Sequence, residues 1–213
     1  MTSALTRFAL VSASAAVLAA TLSACAPLVL GGAAVGTMVA IDRRTSGAQL
    51  EDEGIELRSA ARLREALRDR GHVTVTSYNR QVLLTGEVAS EQDKQTAEQV
   101  VSRVENVRGI VNDLAVMGNS SLAQRSADTL TTGKVKASLV DDRELYASAF
   151  RVVTERGTTY LMGRVTQREA DRATQIARGV SGVQRVVRVF EIISEEELQQ
   201  IAPQQARPAN AMR

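Results

Sequence analysis

The sequence predicts an α+β protein that contains two copies of one small module. An internal repeat aligns residues 73–116 with residues 150–193, at an offset of 77 that becomes 76 after the second strand. In each copy, alternating apolar residues indicate two strands with one buried face, followed by a helix and a third strand. A helical pattern precedes each copy, over residues 50–67 and 128–140. Each module is therefore predicted to be αββαβ, with a three-stranded mixed sheet and two helices on one face.

The first two strands of each copy are predicted to form a hairpin. Asn79 in the first copy and Gly157 in the second can adopt the positive φ that tight hairpin turns require. Gly86 and Gly163 recur inside the second strand, where glycine normally weakens a sheet. Their recurrence predicts either a bulge or the close approach of a packed helix.

The remaining segments complete the predicted organisation of the chain. Composition indicates a linker between the modules and a Gln/Ala/Pro-rich disordered tail, with one short helix capped near Ser194. The predicted boundaries are a signal peptide at 1–24, a tether at 25–49, the first module at 50–117, a linker at 118–124, the second module at 125–193 and a tail at 194–213.

The N-terminus resembles a bacterial lipoprotein signal. Arg7 precedes an apolar run at 8–22, and Leu22-Ser-Ala-Cys25 matches the lipobox pattern. The resemblance implies cleavage before Cys25 and acylation of that cysteine, which is the only one in the chain. The alternatives are an ordinary signal peptide with a chance cysteine, or a membrane span, although a span needs about 20 apolar residues.

The residues after Cys25 bear on where such an anchor would lie. Residue 26 is Ala, not the Asp that typically retains lipoproteins at the inner membrane, so we expect the outer membrane and its periplasmic face. The Gly/Ala/Val-rich stretch at 27–41 is too short to span a bilayer. It is interpreted as a flexible tether, with a segment lying along the membrane as the alternative.

The second module carries a family resemblance. Val152-Val-Thr-Glu-Arg-Gly-Thr-Thr-Tyr-Leu-Met-Gly163, continued by Ala177-Arg-Gly-Val-Ser-Gly182, resembles a BON domain, and residues 73–116 resemble one more loosely. With the lipobox and Asp42-Arg-Arg-Thr45 ahead, the chain resembles the dual-BON outer-membrane lipoproteins. That resemblance implies an αββαβ fold, a periplasmic location, binding of anionic phospholipid and a part in maintaining the outer membrane.

The sequence offers little for catalysis or metal binding. His72 is the single histidine, has no second ligand of its kind, and is interpreted as a solvated turn residue. No Gly-x-Ser-x-Gly elbow, Walker loop or dinucleotide loop is present in the sequence. We therefore predict a protein that is not an enzyme and has no cofactor and no metal site.

The two modules differ in charge. Residues 50–117 contain nine Lys/Arg and twelve Asp/Glu, net −3, whereas residues 125–193 contain twelve and eight, net +4. A basic module on a membrane-tethered protein indicates contact with anionic headgroups. Nucleic acid, the other usual partner of basic surfaces, is excluded by secretion. The arginines of the second module are either a solvated face or a secondary lipid contact: Arg164, Arg168, Arg172 and Arg178.

The helix at 128–140 supplies the candidate lipid site: Leu130, Lys134 and Lys136. At 100° per residue, Leu130 lies about 140° from Val135 and about 180° from Leu139, the pair expected to face the sheet. Lys134 is only about 40° from Leu130, so an outward leucine and an ammonium group would meet the membrane together. Leu139 is matched to Leu67, which gives an offset of 72. At that offset Arg58 of the first module corresponds to Leu130.

The predicted function is phospholipid binding, of a phosphatidylglycerol-like anionic lipid, by a periplasm-facing outer-membrane lipoprotein that supports envelope integrity. The competing class is a protein-interaction adaptor, in which the acidic first module docks an envelope assembly machine and lipid is incidental. A third class is an enzyme of the cell wall that the motifs do not reveal.

Overall fold

The computed structural model describes residues 42–201. Module 1 consists of α1 Ser46–Leu67, β1 Gly71–Tyr78, β2 Gln81–Val88, α2 Glu91–Ser102, β3 Gly109–Asn112 and β4 Ala115–Val116. Module 2 consists of α3 Leu122–Asp141, β5 Arg151–Glu155, β6 Thr158–Val165, α4 Gln167–Arg178 and β7 Arg185–Ile192. A short helix, α5 Glu195–Ile201, follows module 2.

Each module has the predicted mixed sheet. β2 pairs antiparallel with β1 and parallel with β3 and β4, which share one edge position of the sheet. β6 pairs antiparallel with β5 and parallel with β7. The two helices of each module cover one face of its sheet and enclose an apolar core. The predicted αββαβ fold is confirmed.

Both first helices begin earlier than their apolar periodicity indicates, because polar caps determine where they start. The Thr45 hydroxyl accepts the Ala48 N–H at 3.1 Å, and α1 begins at Ser46 and not at residue 50. A capping box between Ser121 and Gln124 starts α3 at Leu122, inside the predicted linker.

The sequence predicted one positive-φ residue in each hairpin turn, Asn79 and Gly157, and each turn has two consecutive residues with positive φ. They are Asn79 and Arg80 in module 1, and Arg156 and Gly157 in module 2. In each module a buried aspartate of the first helix holds the turn. Asp52 accepts the N–H groups of Asn79 and Arg80, both at 2.7 Å.

Asp128 has the same role in module 2 and corrects the alignment of the two first helices. It accepts the N–H groups of Arg156 and Gly157 at 2.8 and 2.9 Å, so it corresponds to Asp52 at an offset of 76. The offset of 72 was wrong by one helical turn. The buried positions of α1 match those of α3 in order at the new offset: Asp52, Ile55, Ser59 and Leu63 with Asp128, Thr131, Val135 and Leu139.

The two mid-strand glycines make room for the backbone of the segment that precedes their strand. Gly86 has φ +111°, and a side chain there would collide with the carbonyl of His72 on β1. A Cβ at Gly163 would lie 2.5 Å from the carbonyl oxygen of Ala149. The recurring glycine therefore permits close approach of the preceding segment, which is β1 in module 1 and the 3₁₀ turn Ala147–Ala149 in module 2. Neither is one of the two helices that pack on the sheet, so the predicted approach of a packed helix was wrong.

The sheet faces that the helices leave open pack against each other. Both modules lie within one unit of the chain, residues 40–213. Tyr160 donates to Asp113 of module 1 at 2.8 Å, and Asp113 also pairs with Arg185 at 2.6 Å. Burial raises the pKa of Tyr78 to about 12, with the Asp42 charge adding to the effect. The shared apolar cluster contains Tyr78, Leu83, Tyr160, Met162 and Val189.

One part of this inter-module interface is polar and poorly paired. Glu87 of β2 is 0% exposed, and no group in residues 42–201 donates a hydrogen bond to its carboxylate. The nearest cation is the Arg156 guanidinium, with Nε 3.8 Å away. Burial raises the pKa of the Glu155 carboxyl, and the charges of Glu87 and Asp128 raise it further. The interface therefore contains carboxylates whose negative charges repel each other.

We expect Asp52→Ala to destabilise the protein more than Asp128→Ala. Removal of Asp52 leaves two backbone N–H groups and the Ser77 hydroxyl without their acceptor, and it leaves the Arg44 guanidinium with Asp42 as its remaining carboxylate partner. The expected loss is about 3–5 kcal/mol for Asp52 and about 1–3 kcal/mol for Asp128, which serves two N–H groups. Urea denaturation measures both, and equal losses would contradict the assignment.

We expect Glu155→Gln to stabilise the protein at neutral pH and to have little effect in acid. The pKa of Glu155 is higher in the folded than in the unfolded chain, so the wild type loses stability as pH rises through the folded pKa. Glutamine does not ionise and avoids that loss. Below the ordinary glutamate pKa of about 4.3, both side chains are neutral and the urea midpoints should converge. A difference that grows in acid would contradict this origin.

Candidate functional site

The two faces of α3 have the orientation that the sequence predicted. Val135 and Leu139 are buried against the sheet of module 2, as part of its core. Leu130 is 68% exposed on the opposite face. A leucine with this exposure contributes little to the core, so its side chain is available for an external contact.

The lysines of α3 are cations without carboxylate partners. Lys134 and Lys136 are both exposed, and within residues 42–201 neither ammonium group has an ion pair or a hydrogen bond. Lys134 lies beside Leu130 on the helix surface, whereas Lys136 lies about 120° away, on the flank of that face. The structure therefore brings Leu130 and Lys134 together and leaves Lys136 at the margin.

The outer face of α3 contains two more exposed apolar residues, Leu122 and Val140. Both lie about 80° from Leu130, on the same side of it. Sequence reasoning missed them as site residues, although a helical projection over the whole of α3 would have found them. That projection needs the helix start, which the Ser121 capping box signals. We call Leu122, Leu130, Lys134 and Val140 the α3 outer face.

The arginines of module 2 are largely engaged with carboxylates. Arg164 contacts Glu191 and Glu197 at 2.9 and 2.7 Å. Arg172 lies 2.7 Å from Asp142, and its hydrogen bond lowers the pKa of that carboxyl. Arg168 approaches Glu144 at 3.8 Å, while Arg178 borders a groove described below. These pairs favour the interpretation of the arginines as a solvated face.

Module 1 lacks the α3 arrangement at the corresponding position. Gly54 and not Arg58 corresponds to Leu130, and Arg58 corresponds to Lys134. The Arg58 guanidinium lies over Gly54, 2.8 Å from where a Cβ would be, and pairs with Glu51 at 2.7 Å. Module 1 therefore has a glycine where module 2 has Leu130. It has an arginine paired with a carboxylate where module 2 has Lys134, which has no such partner within residues 42–201.

Module 1 nevertheless exposes leucines elsewhere on α1. Leu57 is 71% exposed, about as much as Leu130. Leu50, two helical turns earlier on the same face of α1, is also exposed. Glu53 lies one turn before Leu57 on the same side of the helix. A carboxylate at that place disfavours an anionic membrane surface, so Leu57 is a matched comparison for Leu130.

A groove recurs at the same place in both modules, between the end of the second helix and the start of the third strand. In module 1 it has a volume of about 570 Å³ and is lined on the helix side by Gln95, Glu98, Gln99 and Ser102. In module 2 it is about 270 Å³. Arg178 and Arg185 line the smaller groove where Ser102 and Gly109 line the larger one.

Other predicted features have definite places or lie outside the described residues. His72 lies in β1 opposite Glu87 and not in a turn, so that interpretation was wrong. Residues 42–201 contain no cluster of three or more metal-ligating side chains and no helix long and apolar enough to cross a membrane. Cys25, the signal peptide and most of the tether lie outside the described residues.

Comparison with known proteins decides the family. The BON domain matches residues 51–118 and 127–194, one match for each module. The chain belongs to the BON domain family. This confirms the resemblance inferred from the sequence, and both matches begin and end within two residues of the predicted modules.

Three relatives are similar to more than half of the chain. Outer membrane lipoprotein DolP of Haemophilus influenzae is 38% identical over 174 residues, 81% of this chain and 90% of that protein. The 21 kDa hemolysin of Actinobacillus pleuropneumoniae is 30% identical over 72% of this chain and 80% of its own length. Osmotically-inducible protein Y of Escherichia coli is 31% identical over 59% of this chain and 67% of its own length. The similarity to DolP supports an outer-membrane lipoprotein with BON domains.

Proposed function

We propose that this protein is anchored by acylated Cys25 to the periplasmic face of the outer membrane, and that module 2 binds anionic phospholipid there. The α3 outer face makes the contact, and the binding helps to maintain the envelope. The observation that carries the proposal is the exposed Leu130 beside Lys134, whose ammonium group has no ion pair within the described part of the chain. The module 1 counterpart, Gly54 under a paired Arg58, has neither property.

The expected chemistry is a shallow interfacial contact. Leu130, Leu122 and Val140 enter the boundary between headgroups and acyl chains, where full burial of such a side chain would contribute about 1.5–3 kcal/mol and shallow burial contributes part of that. Lys134 and Lys136 remain at the phosphates, where each contributes about 1 kcal/mol. Phosphatidylglycerol, whose headgroup has a net negative charge, is therefore preferred over phosphatidylcholine.

The anchor makes a contact of this strength effective. Residues 26–41 separate Cys25 from the described structure, and 16 residues reach at most about 55 Å. A tether of that length holds module 2 at a high local concentration of lipid, so a weak contact suffices. Two or more acyl chains supply an anchor that one chain does not. Binding is the function that these features support, and none of them requires a catalytic step.

A protein-interaction adaptor is the second candidate, and one observation favours it. The groove of module 1 is about twice as large as its module 2 counterpart, and its helix side carries amide and carboxylate side chains. β3 is also an edge strand, and edge strands accept an extended segment of a partner. In this candidate, module 1 docks an envelope assembly protein while module 2 contacts lipid.

We expect Leu130→Glu to weaken binding to phosphatidylglycerol vesicles by at least about tenfold, since an apolar contact is lost and a carboxylate faces anionic lipid. The test uses the mature chain with Cys25→Ala, in flotation assays against phosphatidylglycerol and phosphatidylcholine vesicles. The chain is kept intact because each module buries a sheet face of the other. Leu130 is exposed, so the change in folding stability should stay within about 0.5 kcal/mol.

Three comparisons make that result specific. Leu57→Glu changes an equally exposed leucine in module 1 and should leave vesicle binding unaltered. Val135→Glu introduces a charge into the core and should abolish the folded circular dichroism spectrum. Lys134→Glu and added salt should both weaken binding, because the charge interaction is screened over about 8 Å at physiological ionic strength. Equal losses for Leu57→Glu and Leu130→Glu would remove α3 as the site.

We expect Cys25→Ala to release the full-length protein from the outer membrane, because the anchor and not the folded domains determines membrane residence. Metabolic labelling with palmitate followed by membrane fractionation measures the effect. The variant should incorporate no palmitate, while its modules keep the same fold. Undiminished labelling would show that Cys25 is not the acylated residue and that the lipobox interpretation is wrong.

A further inference from the structure

The segment Asp42–Arg44, called the strap below, lies outside both BON domain matches and contacts both modules. Arg43 belongs to the module 2 side. Its guanidinium forms two bonds to the Glu169 carboxylate, at 2.6 and 2.8 Å, and a third to the Arg164 carbonyl oxygen at 2.9 Å. Arg43 is only 6% exposed, so this ion pair is buried.

The next residue of the strap is held by module 1. Arg44 pairs with Asp52 at 2.7 Å, and its guanidinium lies 4.3 Å above the centre of the Tyr78 ring. Asp52 is the aspartate that organises the module 1 hairpin, and Tyr78 belongs to the inter-module cluster. Adjacent residues of the strap therefore bind opposite sides of the junction between the modules.

Module 2 does not need Arg43 for its own local structure. The capping box of α4 is complete without it: Glu169 accepts the Thr166 N–H at 2.9 Å, and Thr166 accepts the Glu169 N–H. Burial opposes the charge on Glu169, yet the hydrogen bonds from Arg43 and Thr166 outweigh it and lower the pKa of that carboxyl. The Arg43–Glu169 pair, whose two residues are 126 positions apart in the chain, joins the strap to module 2.

We propose that the strap is a latch that couples the docking of the two sheets to the segment leading to the membrane anchor. Arg43 holds module 2 and Arg44 holds module 1, so a strap in place keeps the modules together. Displacement of the strap, by tension on the tether or by a partner that binds around residue 42, removes the hold on module 2. The inference goes beyond lipid binding and does not depend on it.

The latch is tested by comparing the opening of the interface with the unfolding of module 2. In the mature chain with Cys25→Ser, a single cysteine replaces Met162, which is buried between the sheets, or Ala173, which lies on the buried face of α4 in the core of module 2. Thiol labelling rates in native buffer report how often each site opens, provided that closing is fast. Each cysteine variant is measured with and without Arg43→Ala.

We expect Arg43→Ala to speed labelling at position 162 by at least about tenfold, because opening of the interface then no longer has to break the buried Arg43–Glu169 pair that joins the strap to module 2. Labelling at position 173 should change by less than about twofold, because the capping box and the core of module 2 remain. Arg43→Lys keeps one charge but not the two-pronged geometry and should give an intermediate rate at position 162.

Two outcomes overturn the latch. If both positions accelerate equally, the Arg43–Glu169 pair stabilises the fold of module 2 and does not control docking. If neither accelerates, the sheets stay together without the strap. Arg58→Ala, which breaks the pair with Glu51 on the surface of α1, is the matched control and should change neither rate. Vesicle binding plays no part in these measurements, so they fail or succeed independently of the proposed lipid site.

Discussion

Each module has a sheet with two faces and helices that cover only one, and the rest of the structure depends on how the second face is covered. In this protein the sheet of the other module covers it. Tyr78 and Leu83 of module 1 meet Tyr160 and Met162 of module 2 in one apolar cluster. A three-stranded sheet with one bare apolar face would be marginal in water. The duplication therefore supplies each module with the surface that completes its core.

Face-to-face docking leaves the helices on the outside and makes their outer faces available to solvent, lipid or partners. The modules have diverged there and not in the fold. A buried aspartate holds the hairpin turn in both copies, whereas the position about half a turn later is a glycine covered by Arg58 in module 1 and an exposed leucine in module 2. Selection for an external contact acts on such exposed positions without disturbing the core. The modules also differ in net charge, −3 for residues 50–117 and +4 for residues 125–193.

The strap follows the segment that leads from the proposed anchor at Cys25. The described structure begins at Asp42, two consecutive arginines follow it and bind one module each, and the chain before them leads to Cys25. A contact through a few side chains is weak, and a tether makes it effective by keeping lipid close. The strap reaches the junction of the modules, and the 16 residues 26–41 join it to the proposed anchor at Cys25.

Much of this architecture is local in the sequence and was predictable from it. The repeat, the strand alternation, the two hairpins with Asn79 and Gly157, and the outward direction of Leu130 all follow from short-range periodicity and turn chemistry. The capping residues Thr45 and Ser121 carried the true helix starts, although apolar periodicity alone placed them too late. The family followed from the order of these parts.

Only the tertiary structure decided the contacts between residues distant in the chain. The helix alignment needed Asp52 and Asp128, whose partners are backbone N–H groups more than 25 residues away and have no side-chain signature. Arg43 and Glu169 are 126 residues apart, and a sequence of charged residues does not say which of them pair. Alternation says that a strand has two faces but not what covers the second. That choice depends on the free energy of burying both faces together, which no single segment contains.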